Sequence, residues 1–133
     1  MKNNYLCPKC RSLLNIGNKI IFSAKSMDGK LGLILLSSEV GDYSVSHHPT
    51  FPVMPGEHYN FFCPLCKYNL AIPEVNENLA KVLMIDESNE EHLIVFSGIA
   101  GEKATYRIKD EDVEHYGENA GKYINFLNLA SSK

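Results

Sequence analysis

Two runs of the same form, Cys7-Pro8-Lys9-Cys10 and Cys63-Pro64-Leu65-Cys66, use all four cysteines of the chain. Together they supply four thiolates, the full ligand set of a closed tetrahedral metal site. Zinc is the metal this set most often holds, with sulfur about 2.3 Å away and no redox chemistry of its own. A Cys-x-x-Cys turn wraps the backbone around a cation and presents two sulfurs about 3.7 Å apart, one edge of a tetrahedron. Proline at the second position fixes φ and removes one amide, which leaves the following amides free to point at the sulfurs. A hydrolytic zinc keeps a position open for water and usually takes histidine or carboxylate among three ligands. No histidine falls inside either run, so the spacing predicts a structural site. Iron is the alternative metal. A thiol-disulfide enzyme would need a strand before the Cys-x-x-Cys and a helix opening at it. Cys7 lies too near the start of the sequence for that, and Cys63 is followed by strand-like sequence.

Other residues with chemical potential are more plainly explained. His47, His48 and His58 fall in a proline-rich stretch and could serve a second metal site, but no carboxylate stands at a ligand spacing from them. They are expected in an exposed loop. His92 and His115 stand alone. Asp110-Glu111-Asp112 with Glu114 fit a solvated helix start, which the helix dipole favours. Gly98-Ile99-Ala100-Gly101 lacks the lysine and hydroxyl residue of a phosphate loop. No residue is therefore assigned a catalytic or cofactor-binding role, and enzyme activity is not expected.

The flanks of the two runs, Tyr5-Leu6-Cys7-Pro8-Lys9-Cys10-Arg11 and Phe61-Phe62-Cys63-Pro64-Leu65-Cys66-Lys67, each place aromatic or apolar residues before the first sulfur. In this the first 70 or so residues resemble the zinc-ribbon and rubredoxin-like proteins, which pair two such knuckles at hairpin tips. The resemblance implies a knuckle pair closing on zinc or, in a rubredoxin-like electron carrier, on iron. Two departures stand out. The knuckles are separated by a long insertion, and Arg11 and Lys67 stand where a rubredoxin knuckle commonly has glycine. Those positions often take positive φ, where glycine is cheapest, so their identity favours zinc. Lys9, Arg11 and Lys67 would then offset the negative charge of a zinc tetrathiolate.

The elements around the knuckles read as mainly β, with some helix (α+β). Ile20, Phe22 and Ala24 share one face of an alternating run, with Ser23 and Lys25 on the other, and Leu31 to Leu36 is apolar on both faces. Asp28-Gly29 between them is a strong hairpin signal of the type I′ kind. Ile20 and Phe22 are expected to pack against the strand of Leu31, Leu33 and Leu35. Residues 38–56, with Pro49, Pro52 and Pro55, look irregular, and Glu57 to Phe62 reads as the strand leading into the second knuckle. After a connector with Pro73 come three strand-like runs, Lys81 to Asp86, His92 to Ser97 and Lys103 to Ile108. Val113, Tyr116, Ala120, Tyr123, Ile124 and Leu127 recur at helical spacing. They predict either one helix or one interrupted between Gly117 and Gly121. No repeat is evident beyond the knuckles. The expected architecture is a zinc-ribbon-like β module with an inserted hairpin over residues 1–72, then a small antiparallel β module with a C-terminal helix over 73–133, the two possibly continuous.

Composition limits the function classes. The 133 residues carry 13 Lys and Arg against 16 Asp and Glu, a formal charge of −3. That balance argues against a nucleic-acid groove, which needs clustered cations. No stretch reaches the roughly 18 apolar residues of a membrane helix, and no apolar signal core precedes Cys7. The expectation is a cytoplasmic protein, because paired Cys-x-x-Cys units in a reducing compartment hold metal more often than they form disulfides. Two roles follow: a zinc-stabilised interaction or structural module with an unidentified protein partner, or a redox protein built on iron or on a zinc-thiolate switch.

Overall fold

The computed structural model describes residues 3–126. Ten strands form two antiparallel sheets. The strands are β1 (Asn4–Leu6), β2 (Asn15–Ile16), β3 (Lys19–Lys25), β4 (Leu31–Ser37), β5 (Val45–His47), β6 (Asn60–Phe62), β7 (Leu79–Ile85), β8 (Glu91–Ser97), β9 (Thr105–Lys109) and β10 (Asp112–Tyr116). One sheet runs β1-β7-β8-β9-β10; the other runs β2-β3-β4-β5, with β6 also paired to β3. Among the described residues the only helical element is a 3-10 helix, Ala120–Phe126. No helix there is long and apolar enough to cross a membrane.

The alternation in β3 buries Ile20, Phe22 and Ala24, as its two-residue period requires. β3 and β4 form the expected hairpin, but two details differ from expectation. Pairing sets Ile20 opposite Leu36 and Phe22 opposite Ile34. The inner face of β4 is therefore Gly32, Ile34 and Leu36, while Leu31 and Leu33 point outward, 72% and 52% exposed. The turn is also wider than a two-residue type I′ loop. The amide of Ser26 donates to the carbonyl of Lys30 and that of Gly29 to Ser26, with Gly29 alone at positive φ.

The absence of a repeat is the expectation that fails most completely. Each half of the chain runs knuckle, short return strand, hairpin, with the same hydrogen bonds. The amides of Leu14 and Leu70 donate to the carbonyls of Tyr5 and Phe61, and those of Ile21 and Lys81 to Leu14 and Leu70. Asn15 pairs with Ile20 as Ala71 pairs with Ala80. The β3–β4 turn matches the β7–β8 turn, with Asn89 taking the positive φ of Gly29. The halves then exchange their leading strands. β1 of the first pairs with β7 of the second, Tyr5 opposite Met84. β6 of the second pairs with β3 of the first, Phe61 opposite Ala24. Of these two pairings, β1 with β7 crosses residue 72, whereas β6 and β3 both precede it. The repeat hides in the sequence because few side chains agree outside the knuckles, and because the two-residue link 17–18 becomes the six-residue link 73–78.

Two clusters of buried side chains hold this frame. One lies between the sheets and contains Tyr5, Phe22, Ile34, Phe61, Met84 and Phe96 with the buried Cys7 and Cys63. Phe22, Phe61 and Phe96 meet with ring centroids 5.3 to 5.5 Å apart, in the edge-on and tilted geometries aromatic pairs prefer. The second cluster covers the other face of the β7–β8–β9 sheet with Ile72, Val75, Val95, Tyr106, Ala120 and Tyr123.

The helix expected from Asp110 onward is replaced at its start by β10. Asp110, at φ +56, turns the chain into a hairpin that pairs Lys109 with Asp112 and Val113 with Ile108. Gly117, at φ +97, approaches the Lys103 carbonyl so closely that a Cβ would lie 2.2 Å from it, which excludes a continuous helix. Ala120 and Tyr123 do share a buried face, on the 3-10 helix. Leu127, the last residue of the expected face, lies outside the described residues.

Candidate metal centre

Each knuckle follows a strand of the opposite half's sheet and is closed by the same two bonds. The amide of Arg11 donates to the Cys7 carbonyl and that of Lys67 to Cys63, both at 2.9 Å. The amides of Cys7 and Cys63 donate to Ser12 and Tyr68 at 3.1 and 3.0 Å. The residue after the second cysteine of each knuckle must swing into the left-handed region for this to work. Arg11 and Lys67 sit there at φ +61 and +68, so the glycine-type turn forms without glycine. The amides freed by the prolines point at sulfur: Lys9 and Cys10 toward Cys7 Sγ at 3.3 and 3.4 Å, Leu65 and Cys66 toward Cys63 Sγ at 3.4 Å each.

The strand exchange brings the two knuckles together. Cys7 Sγ lies 3.7 Å from Cys66 Sγ, and Cys10 Sγ lies 3.8 Å from Cys63 Sγ. All four sulfurs fall within 4.8 Å of one another, and none is in a disulfide. Cys7 and Cys63 are fully buried, whereas Cys10 and Cys66 face solvent. Burial pushes the Cys7 thiol up to about 11, while hydrogen bonds from the Ser12 hydroxyl and amide bring Cys10 down to about 6. The donor set suits a soft or borderline tetrahedral metal, and it is compatible with zinc.

The nearby cations are only partly free to balance a metal thiolate. Arg11 pairs with Glu91 at 3.0 Å. Lys9 reaches across from the first knuckle to the Tyr68 ring beside the second, 5.5 Å from its centroid, and Lys67 Nζ donates to the Pro64 carbonyl at 3.3 Å.

The histidines of the proline-rich segment do not join the sulfurs. His47 lies on the exposed edge strand β5, and its Nδ1 is 3.1 Å from the His48 carbonyl. His48 Nδ1 is 2.8 Å from the Thr50 hydroxyl. His58 forms an isolated bridge with Ile99. The carboxylates near Asp110 lie along the β9–β10 hairpin instead of a helix start, where Glu114 accepts from Arg107 Nε at 3.1 Å.

One grouping escaped the sequence reading. Asp86, Glu90 and His92 bring ligand-type atoms within 4.8 Å of one another at the β7–β8 turn. His92 Nε2 lies 2.8 Å from Asp86 Oδ2, and Asp86 Oδ1 accepts from the amides of Ser88 and Glu90 at 2.9 Å. Glu90 is drawn to Lys109 at 3.2 Å. The arrangement closes the turn, and its one sequence signal is the Asp-x-Ser start of a side-chain-capped loop. Set against known proteins, the chain has no match to a protein-family model, to a curated protein or to a solved structure.

Proposed function

We propose that Cys7, Cys10, Cys63 and Cys66 hold one zinc ion in a closed tetrathiolate site, and that the protein is a non-enzymatic, zinc-stabilised interaction module of zinc-ribbon-like character. The observation that carries this reading is the pair of cross-knuckle sulfur distances, 3.7 and 3.8 Å. Four sulfurs about 2.3 Å from one centre at tetrahedral angles are roughly 3.8 Å apart. Zinc so held has no open position for water, and its contribution is a cross-link whose binding free energy is folding free energy. This reading belongs to a reducing compartment such as the cytoplasm, where thiols persist. It calls for a protein partner and not a nucleic acid, since acids outnumber bases.

A second reading is favoured by one specific feature. The turns at Arg11 and Lys67 keep the left-handed conformation of a rubredoxin-like knuckle, and Cys10 and Cys66 are open to solvent. Iron, or a zinc-thiolate pair that releases its metal on oxidation, would use those features. Elemental analysis and a visible spectrum of the purified protein decide between them. One equivalent of zinc without visible absorption, retained on mild oxidation, supports the structural module; zinc released on oxidation supports the thiolate switch, and iron with strong visible absorption supports the electron carrier. Folded, fully reduced protein that binds neither metal overturns both.

A further inference from the structure

We infer that the space between the two sheets is a binding site for a small uncharged apolar molecule, the size of one fused aromatic ring system or a short alkyl chain with a neutral polar end. The sheets leave a cavity of about 210 Å³ between them. Its walls are the inward faces of both halves: Phe22 and Ile34 from one hairpin, Val82, Ile94 and Phe96 from the other, with Phe61 from β6. All six are buried. None of the four cysteines lines it, so it is separate from the metal site.

The cavity has a physical origin in the repeat. Corresponding positions of the two hairpins line it together, and they are unequal: Phe22 corresponds to Val82, and Leu36 to Phe96. Phe22, Phe61 and Phe96 contact one another and hold the sheets apart, while Val82 falls short of filling the gap that remains. An apolar cavity of about 150 Å³ stays dry and takes up benzene. The space here is larger.

It also has an entrance. The lining residues that reach solvent come from two segments, Glu39, Asp42 and Ser44 after β4, and Gly101 and Lys103 after β8. These segments follow corresponding strands but differ in sequence and course, so the cavity opens where the repeat ends. The Tyr43 hydroxyl stands at this end, 2.9 Å from the Thr105 hydroxyl and donating to the Tyr116 carbonyl. It can still accept from a ligand hydroxyl or N–H. Glu39 and Asp42 oppose an anion at the mouth. Hydrogen bonds from the Ser44 hydroxyl and amide hold the Asp42 carboxyl below its ordinary range, so it stays ionised. Lys122 already occupies Glu102, at 2.8 Å, which leaves Lys103 the one cation among the lining residues.

The test is a titration of the metal-loaded, full-length protein with indole, 1-octanol and octanoate, followed by two-dimensional amide NMR. Saturable shifts centred on Val82, Ile94 and Phe96 are expected for indole or 1-octanol, with octanoate at least tenfold weaker. The variant Val82→Phe, which copies Phe22 into the opposite wall, should remain folded and lose this binding at least tenfold. Should its spectrum show misfolding, Val82→Ala serves instead and should bind with the same shift pattern. Absence of saturable shifts in the wild-type protein with both neutral ligands overturns the inference. So does octanoate binding as well as 1-octanol, or shifts confined to residues outside the cavity.

Discussion

The β3–β4 and β7–β8 hairpins share one backbone plan, yet their outer faces meet different fates. On β8 the outward Val95 is fully buried, roofed by Ile72, by Val75 of the long link and by Ala120 and Tyr123 of the 3-10 helix. On β4 the outward Leu31 and Leu33 stay largely exposed, flanked by the short edge strand β5. The inner faces also diverge near the turns. Gly32 gives up its side-chain space to Phe51, whose ring would lie 2.4 Å from an added Cβ. His92, its counterpart, fills that space itself and is anchored by Asp86. A hairpin that is apolar on both faces thus reveals that it can be covered on both. Whether it is covered depends on the chain that follows it.

The sharpest way to break this comparison is through the cysteines. If one metal joins the halves, Cys7→Ser and Cys63→Ser should be equally damaging, each removing the metal and most of the folded population, because one ligand lost from a structural zinc site unfolds small metal-held domains. Elemental analysis beside thermal unfolding checks this; a half that keeps its melting transition in either variant would show that the two fold separately. Next in size is the pair at the diverged position. Phe51→Ala should cost about 3–4 kcal/mol in urea unfolding, as large-to-small changes of buried aromatics do, since Phe51 is only 3% exposed. His92→Ala should cost about 1–2 kcal/mol, because the loss is one hydrogen bond and a smaller buried volume. Equal costs would mean that the two halves use the position alike.

Glu102 belongs to the loop after β8, and the first half has no counterpart for its network. Burial acts to raise its carboxyl, but hydrogen bonds from Lys122, Ser97 and Tyr123 win and hold it below the ordinary range. Glu102→Gln should cost about 2 kcal/mol at pH 7, the usual loss for a hydrogen-bonded buried charge. A carboxyl depressed by folding stabilises above its unfolded pKa, about 4.3, and that contribution is lost as pH falls through the folded value. The difference between wild type and variant in urea unfolding should therefore shrink below about pH 4. A gap that persists there would assign the effect to packing. The smallest effect is expected at the left-handed residues that close the knuckles. Lys67→Gly should stabilise by about 0.5–1 kcal/mol, relieving a left-handed residue that carries a side chain. Arg11→Gly should gain less, because it also loses the contact with Glu91. Calorimetric melting of both variants checks the order.

Much of this was legible from the chain. The sulfur cluster follows from the spacing of Cys7, Cys10, Cys63 and Cys66, since a turn that brings two sulfurs together is a local property. The strands β3, β4, β7, β8 and β9 follow from two-residue alternation and turn residues, which are also local. The face of β4 was not legible, because Leu31 to Leu36 is apolar at nearly every position and leaves register to decide. The strand at Val113 and Tyr116 was misread because both a three-residue step and a hairpin place apolar residues there, and the left-handed Asp110 carries no glycine to announce it. The Asp86–His92 contact needed the turn to be folded before its partners could be seen. The exchange of β1 and β6 was out of reach, because three-residue strands carry too little pattern to name a partner so far along the chain.

That exchange also sets the order in which the molecule can be made. As the chain leaves the ribosome, Asn4–Leu6 can pair only with the return segment at Leu13 and Leu14 until Leu79–Ile85 has followed it, and the first two sulfurs wait for Cys63 and Cys66. The β3–β4 hairpin, with only local contacts, can form early, but the sheet it belongs to stays incomplete until β6 arrives. Long-range pairing of this kind slows folding, because the chain entropy of closing the loop is lost before the contacts form. Until that stage Cys7 and Cys10 supply only half of the four-sulfur cluster. If the four sulfurs take a metal, its capture and the closing of both sheets would fall together in one late step.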